Sequence, residues 1–262
     1  MRIISGPCQH ESLEHSMMIA EHVKGICDKL GIEYIFKASF DKANRSSMSG
    51  KRGVGFDQTM YDFEVIKKEL GVQTLTDFHD TRQIEAMMFE RPDAVDIIQI
   101  PAFLCRQTDL VRQAVMSGKI VNIKKGQFLA PWDMKGIMSK TTGAKEVWIT
   151  ERGTSFGYNT LVVDFTGVQH LLDNYGSDSV VIDATHAVQK PGGNGDSSGG
   201  NREYVPTIAK AAAAIGVSNF FMEVHEEPDR APSDGPNMVR LDEVEKLIED
   251  LVRISGGPWS CE

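Results

Sequence analysis

An α/β chain folded as a single-domain (β/α)8 TIM barrel is what this sequence predicts, and three observations predict it. Apolar runs rich in β-branched residues alternate with segments of helical period along the chain, eight of each. The strand-like runs are continuously apolar, as expected where both faces of a parallel strand are buried. No Pro/Gly/Ser-rich linker divides the 262 residues, and one barrel is typically about this long. Residues 1–262 therefore read as one domain. A doubly wound sheet uses the same ingredients, but eight regular units favour closure.

Arg2–Ser5 opens the chain as the first strand, which leaves no sequence to plug the barrel's N-terminal mouth. Leu13–Leu30 follows as the first amphipathic helix, and Glu33–Ala38 as the second strand. Gln58–Leu70 carries Val65, Ile66 and Leu70 with Glu64, Lys67 and Lys68 opposite, and Gly71 closes it. Gln73–Asp77 with Thr81–Phe89 is the third unit, and Val95–Ile100 with Thr108–Ser117 the fourth. Ile120–Lys124 with Trp132–Thr142 and Glu146–Thr150 with Gly167–Tyr175 continue the series. Ser179–Asp183 with Arg202–Gly216 and Asn219–Val224 with Leu241–Ile254 complete it.

Apolar content of 41% and charged content of 25% are those of a soluble globular protein with a full-sized core. The net charge of -9 argues against nucleic acid or an anionic membrane surface as partner. No segment approaches an apolar membrane span, and no signal peptide opens the chain. The four cysteines lack a paired spacing such as CxxC, so a cytoplasmic protein with reduced thiols is the simplest reading.

A barrel carries its chemistry where the strands end. Those ends are Cys8, Lys37, Asp77 with His79, Gln99, Lys124 with Lys125, Glu151 with Arg152, Asp183 with His186, and Glu223 with His225. Every strand ends in a polar, ionisable or metal-ligand side chain. Because strands one and eight adjoin in a closed barrel, Cys8, His186, Glu223 and Asp234 can converge as a mixed site for a divalent ion such as Zn2+, Fe2+ or Mn2+. Each has a plainer reading: a small buried thiol, a satisfied core histidine, two loop caps.

Phe36–Ser47 (FKASFDKANRSS) packs Lys37, Lys42 and Arg45 among Ser39, Asn44, Ser46 and Ser47 just past a strand. Lys124, Arg152 and possible contributions from Arg106 and Arg202 add to this set. So many cations in one mouth imply substrates with several negative charges. Some would also pair with Asp77, Glu151 or Asp183. Pro191–Asn201 (PGGNGDSSGGN) matches neither GxxxxGK[ST] nor GxGxxG, so a lid over the mouth fits better than a phosphate loop. Lys124 also raises Schiff-base chemistry, with Lys125 beside it to depress its pKa. That reading leaves the other cations unexplained.

GPCxxES (Gly6–Ser12), KASFDKANRSS (Lys37–Ser47), LTDFH (Leu75–His79), IQIPAFLCRQTDL (Ile98–Leu110) and VNIKKGQFLAPWDMK (Val121–Lys135) resemble the 3-deoxy-D-manno-octulosonate 8-phosphate synthase family. TERGTSFGYN (Thr150–Asn159), DATHAVQKPGG (Asp183–Gly193), FMEVH (Phe221–His225) and SDGPNM (Ser233–Met238) extend the similarity along almost the whole chain. The resemblance implies a (β/α)8 barrel, a homotetramer, and a transferase condensing phosphoenolpyruvate with D-arabinose 5-phosphate for lipopolysaccharide synthesis. It assigns Lys37, Ser39, Lys42 and Gln99 to the phosphoenolpyruvate carboxylate, and Lys124 and Arg152 to its phosphate. Asn44, Arg45 and Ser46 would hold the sugar phosphate, with Asp77 near its hydroxyls. Arg106 would reach into a neighbouring subunit's site, and His186 would sit beside both metal and phosphoenolpyruvate. Lys42, Asp77, Lys124 and His186 thus become the candidate catalytic residues.

Cysteine at position 8, where the metal-independent branch carries asparagine, assigns the chain to the metal-dependent branch, with His186, Glu223 and Asp234 at the other ligand positions. Three departures stand out. Gln9 and His10 replace an apolar pair, which predicts an unusually polar metal side. Met238 stands where glutamine is frequent, and the tail Pro258–Glu262 matches nothing in the pattern. Two alternatives remain: an enzyme of the 3-deoxy-D-arabino-heptulosonate 7-phosphate synthase type using erythrose 4-phosphate, and a non-catalytic barrel that binds phosphometabolites. Against the first, Lys42-Ala-Asn-Arg-Ser replaces a KPRTS-type segment, and Asn44 suits a longer sugar.

Overall fold

The computed structural model describes residues 1–43, 52–193 and 199–256. Asn44, Arg45 and Ser46, the middle of the glycine-rich segment and the C-terminal tail lie outside the described residues.

Eight parallel strands alternate with eight helices: β1 (Arg2–Gly6), α1 (Leu13–Leu30), β2 (Glu33–Lys37), α2 (Phe56–Leu70), β3 (Gln73–Asp77), α3 (Thr81–Glu90), β4 (Ile97–Ile100), α4 (Thr108–Met116), β5 (Ile120–Lys124), α5 (Met134–Met138), β6 (Val147–Glu151), α6 (Phe165–Tyr175), β7 (Val180–Asp183), α7 (Val205–Ala214), β8 (Asn219–His225) and α8 (Val244–Ser255). Neighbours pair in sequence order, and β1 pairs β8 from Arg2 opposite Asn219 to Gly6 opposite Glu223, which closes the barrel. Short antiparallel pairs, Thr154–Ser155 with Leu161–Val162 and Gln189–Lys190 with Gly199–Gly200, decorate the loops after β6 and β7.

Local chemistry sets the helix ends. Ser12 caps α1 by accepting from the His15 amide at 3.2 Å, and Gly31 ends it in the left-handed conformation at φ 66°. Asp80 and Gln83 form a capping box at the start of α3. Where the elements differ from the sequence reading, a side chain is responsible. Asp96 offers its carboxylate to the Thr74 amide at 2.9 Å in place of a ladder carbonyl, so β4 begins at Ile97 rather than Val95. The expected single helix Trp132–Thr142 is a five-residue α5 between two 3-10 turns. There the hydroxyls of Ser139, Thr141 and Thr142 bond carbonyls three residues back and compete with the α-helical pattern. Arg202–Tyr204 is likewise a 3-10 turn, and α7 starts at Val205 with Pro206 in its first turn.

Two layers inside the barrel position everything that follows. Ile4, Ile35, Leu75, Ile97, Ile120, Trp148, Val181 and Phe221, one from each strand, form a buried apolar plug. Burying such a side chain stabilises by roughly 1.5–3 kcal/mol. Arg2 lies 4.2 Å from the Trp148 ring centroid, so the first strand itself covers the N-terminal mouth. Two residues further along each strand, on the same face by the pleat, come Gly6, Lys37, Asp77, Gln99, Asn122, Thr150, Asp183 and Glu223. The second layer is polar, and it lies toward the C-terminal ends.

Candidate active site

Gly6 is the smallest member of the polar layer, and space explains it. A Cβ there would stand 2.1 Å from the Lys37 carbonyl oxygen. Lys37 donates from Nζ to Glu223 Oε1 at 2.9 Å, the Cys8 carbonyl at 3.2 Å and Ser39 Oγ at 3.2 Å. Ser39 Oγ also accepts from Lys42 Nζ at 2.9 Å and donates to Asp77 Oδ1 at 2.5 Å. One hydroxyl thus ties two lysines to a carboxylate. Burial works against the Asp77 anion, but His79, 3.1 Å away, and the two lysines hold its carboxyl well below the usual range.

Asp183 does the same on the far wall. It pairs with Lys124, and it accepts from Thr185 Oγ1 at 3.0 Å, the His186 amide at 2.8 Å and His186 Nδ1 at 2.7 Å. That bond leaves His186 Nε2 facing the carboxylates of Glu223 at 3.7 Å and Asp234 at 3.9 Å. Burial pushes Lys124 down to about 8 against the pull of Asp183, and the nearby Lys37 cation adds to the fall. Lys124 Nζ rests 3.4 Å from the Phe221 ring centroid, on the apolar plug. Lys125, expected to depress Lys124, points elsewhere: it pairs with Glu151 at 3.3 Å and bonds the Leu129 carbonyl, outside the cavity.

Arg152 donates to Gln189 Oε1 at 2.7 Å, and Gln189 Nε2 donates to Asp234 Oδ1 at 2.8 Å. Gln99 accepts from Asn122, which in turn accepts from Thr150. Gln189, Asn122 and Thr150 had no signal in the sequence. Neither strand composition nor loop spacing distinguishes an amide or hydroxyl that braces a neighbour from one that faces solvent.

These walls enclose a cavity of about 530 Å3 at the C-terminal face, lined by Lys37, Ser39, Lys42, Asp77, Gln99, Lys124, Arg152, His186, Glu223 and Asp234 among others. Two expected cations are not on it. Arg202 is held outside by Asp229 and the Gly235 carbonyl, and Arg106 stands exposed on the loop after β4. The expected polarity around Cys8 is also not built from His10, which turns toward the helices. Its fully buried ring lies 2.8 Å from Ser16 Oγ and 2.7 Å from Asp62 Oδ2, and burial lowers its pKa. The β1–α1 loop is thereby pinned to α1 and α2. Met238 is buried.

Cys8, Glu223 and Asp234 offer donor atoms within 4.8 Å of one another, and His186 Nε2 joins them at the distances above. The Cys8 thiol donates to Asp234 Oδ2 at 3.3 Å. Burial pushes this thiol up, and Glu223 adds to the shift, so only a cation would hold it as thiolate. Glu223 stays anionic against its burial because Lys37 and His186 face it, yet its Oε2 is buried with no hydrogen-bond partner. An orphaned carboxylate oxygen beside an imidazole, a thiol and a second carboxylate fits a borderline divalent ion.

Among the described residues, no helix is long and apolar enough to cross a membrane. Residues 1–254 match the model of the DAHP synthetase I family. A 2-dehydro-3-deoxyphosphooctonate aldolase of Chelativorans sp. is 53% identical over 254 residues, covering 96% of this chain and 90% of the relative. The protein of the same name from Agrobacterium fabrum is 52% identical, covering 95% and 87%, and that from Brucella anthropi 53%, covering 95% and 89%. With matches of this extent, the chain belongs to the DAHP synthetase I family, alongside relatives named 2-dehydro-3-deoxyphosphooctonate aldolase.

Proposed function

We propose that this barrel condenses phosphoenolpyruvate with D-arabinose 5-phosphate, giving 3-deoxy-D-manno-octulosonate 8-phosphate and inorganic phosphate. The observation that carries the reading is the cavity itself. Four cations, Lys37, Lys42, Lys124 and Arg152, share it with His186, Glu223 and Asp234, and the Cys8 thiol bonds the last of these. The names borne by relatives at about half identity favour the five-carbon sugar over erythrose 4-phosphate.

Lys37, Ser39, Lys42 and Gln99 receive the phosphoenolpyruvate carboxylate, and Lys124 and Arg152 its phosphate. Holding the enol at both ends aims C3 at the aldehyde carbon, where the new carbon–carbon bond forms. The aldehyde's carbonyl pair moves to its oxygen, which takes up a proton as the new hydroxyl; water adds to C2 with loss of a proton, and the C2–O bond to phosphate then breaks. Asp77, kept anionic by His79 and the lysines, accepts from sugar hydroxyls, while Asn44, Arg45 and Ser46 take the sugar's remaining polar groups. Positioning two mutually repelling anions in attack geometry contributes several kcal/mol of barrier reduction. Cys8, His186, Glu223 and Asp234 would hold a Zn2+, Fe2+ or Mn2+ ion, which supplies Lewis-acid polarisation or a more acidic bound water.

Support for a homotetramer comes from the exposed side chains of Phe103, Phe128, Trp132, Phe156 and Tyr158, which follow strands β4 to β6 on one sector of the rim. Arg106 stands in that sector, where a neighbour's site would receive it. Buried, unpaired Cys8, Cys27 and Cys105 support the cytoplasm as its place.

Phosphate release from phosphoenolpyruvate is the test, with four-, five- and six-carbon aldose phosphates as partners and metal analysis of the protein. Arabinose 5-phosphate is expected to give the highest kcat/KM. Preference for erythrose 4-phosphate overturns the substrate, and full activity in chelator or in Cys8→Ser overturns the metal.

A further inference from the structure

A second group of donors lies outside the cavity, where the start of α1 meets the end of β8. Glu11 Oε1 is 3.2 Å from His225 Nε2 and 4.0 Å from His15 Nδ1, and one donor atom from each residue falls within 4.8 Å of the others. The rings of His15 and His225 stand 4.8 Å apart, centroid to centroid. Behind them, Glu226 Oε2 is 2.9 Å from His15 Nε2 and 3.3 Å from His225 Nδ1. None of these residues lines the cavity of the candidate active site.

His15 carries the informative atom. Its Nε2 is taken by Glu226, which leaves the Nδ1 lone pair aimed at Glu11, buried and without a hydrogen-bond partner. An imidazole with one nitrogen held by a carboxylate and the other free is arranged as a metal-ligating histidine is, and His15 has that arrangement. We infer that Glu11, His15 and His225 form a second site for a borderline divalent cation such as Zn2+, with Glu226 orienting both imidazoles.

A cation bonded to each donor at about 2.0–2.2 Å holds the donors roughly 3.3–3.5 Å apart in tetrahedral geometry. The observed 3.2 and 4.0 Å separations bracket that value. His225 Nδ1 now accepts from the Glu227 amide at 2.9 Å, so the ring proton sits on Nε2. Binding moves that proton to Nδ1, where Glu226 Oε2 accepts it and the amide turns to solvent. Glu11 and Glu226, 35% and 39% exposed in their side chains, leave the site open to ions from solution. Two histidines and a carboxylate around one position, with no sulfur, make a donor set chemically unlike that of the Cys8 cluster. Occupancy would clamp the loop that carries Cys8 to the strand that carries Glu223.

The test uses tag-free, chelator-stripped protein titrated with Co2+ and with Zn2+ and followed by absorption and calorimetry. Wild type is expected to take two equivalents per chain, His15→Ala one and Cys8→Ser one. The equivalent kept by His15→Ala carries a thiolate-to-Co2+ charge-transfer band, and the one kept by Cys8→Ser lacks it. A single equivalent in wild type that carries the charge-transfer band overturns the inference, as does a second equivalent that survives both His15→Ala and His15→Gln. If Cys8→Ser fails to fold, wild type alone decides: one Co2+ equivalent must raise the d–d bands without the charge-transfer band. Absence of the charge-transfer band with the other equivalent intact defeats the Cys8 reading and leaves this one standing.

Discussion

Lys37 and Glu223 are 2% and 1% exposed, with their charges 2.9 Å apart, and Lys37→Met would strip the buried carboxylate of its hydrogen-bonded cation. At an effective dielectric of about 20, that separation corresponds to an attraction of roughly 6 kcal/mol. The lysine's own desolvation offsets part of it, and removing one partner of a buried pair costs about 3–5 kcal/mol. For a chain of this size each kcal/mol lowers Tm by roughly 2–4 °C, so a fall of about 6–20 °C is expected. Thermal and urea unfolding at pH 7 in chelator is the assay, because a bound cation would compensate Glu223. Adding Glu223→Gln to Lys37→Met should recover at least about 1 kcal/mol by removing the stranded charge. A single variant within about 1 kcal/mol of wild type, or a double variant that is simply additive, refutes the pairing as a determinant of stability.

Lys124 should give the enzyme an alkaline limb. With its pKa near 8, the cation proposed to grip phosphate is lost as pH rises through 8, so KM for phosphoenolpyruvate is expected to climb there. In Lys124→Arg the limb should vanish, and a wild-type KM flat to pH 10 contradicts the assignment. The same shift has a stability consequence of fixed sign: between about pH 8 and 10.4 the unfolded chain binds the proton and the folded one does not, so this group raises stability with pH. Gln189→Leu, which breaks the amide bridge between Arg152 and Asp234, should weaken metal affinity by about 10–100-fold and raise the phosphoenolpyruvate KM. Calorimetry showing unchanged metal affinity would contradict it. Gly6→Ala places a methyl 2.1 Å from the Lys37 carbonyl, so β1 and β2 must part; a soluble variant with wild-type melting and activity would show that the barrel gives way there at no cost.

The sequence shows eight strands because buried parallel strands are apolar on both faces, and it shows their chemistry because the first polar residue after such a run marks a strand end. Lys37, Asp77, Lys124 and Glu223 were legible in this way. Direction was not. His10 follows Cys8 by two residues yet turns to the helix layer, where Ser16 and Asp62 satisfy it. Lys125 stands next to Lys124 and serves Glu151 instead. Gln189 was not legible for a related reason. Its role depends on how the loop after β7 folds back toward Asp234, a non-local arrangement without a spacing rule.

The stacking of a polar ring on an apolar ring also bears on how this chain can tolerate change in length. Each side chain of the polar ring is separated from its apolar counterpart by one intervening residue that faces the helices. Inserting or deleting one residue between Ile35 and Lys37, or between Phe221 and Glu223, would send the lysine or the glutamate into the outer hydrophobic layer and an aliphatic side chain into the cavity. The loops beyond the strand ends carry no such parity. Length variation among functional descendants of this barrel should therefore accumulate after Lys37, Lys124 or His225 and be excluded from the few residues before them. A library of single-residue insertions, selected for growth or activity, would reveal that boundary strand by strand.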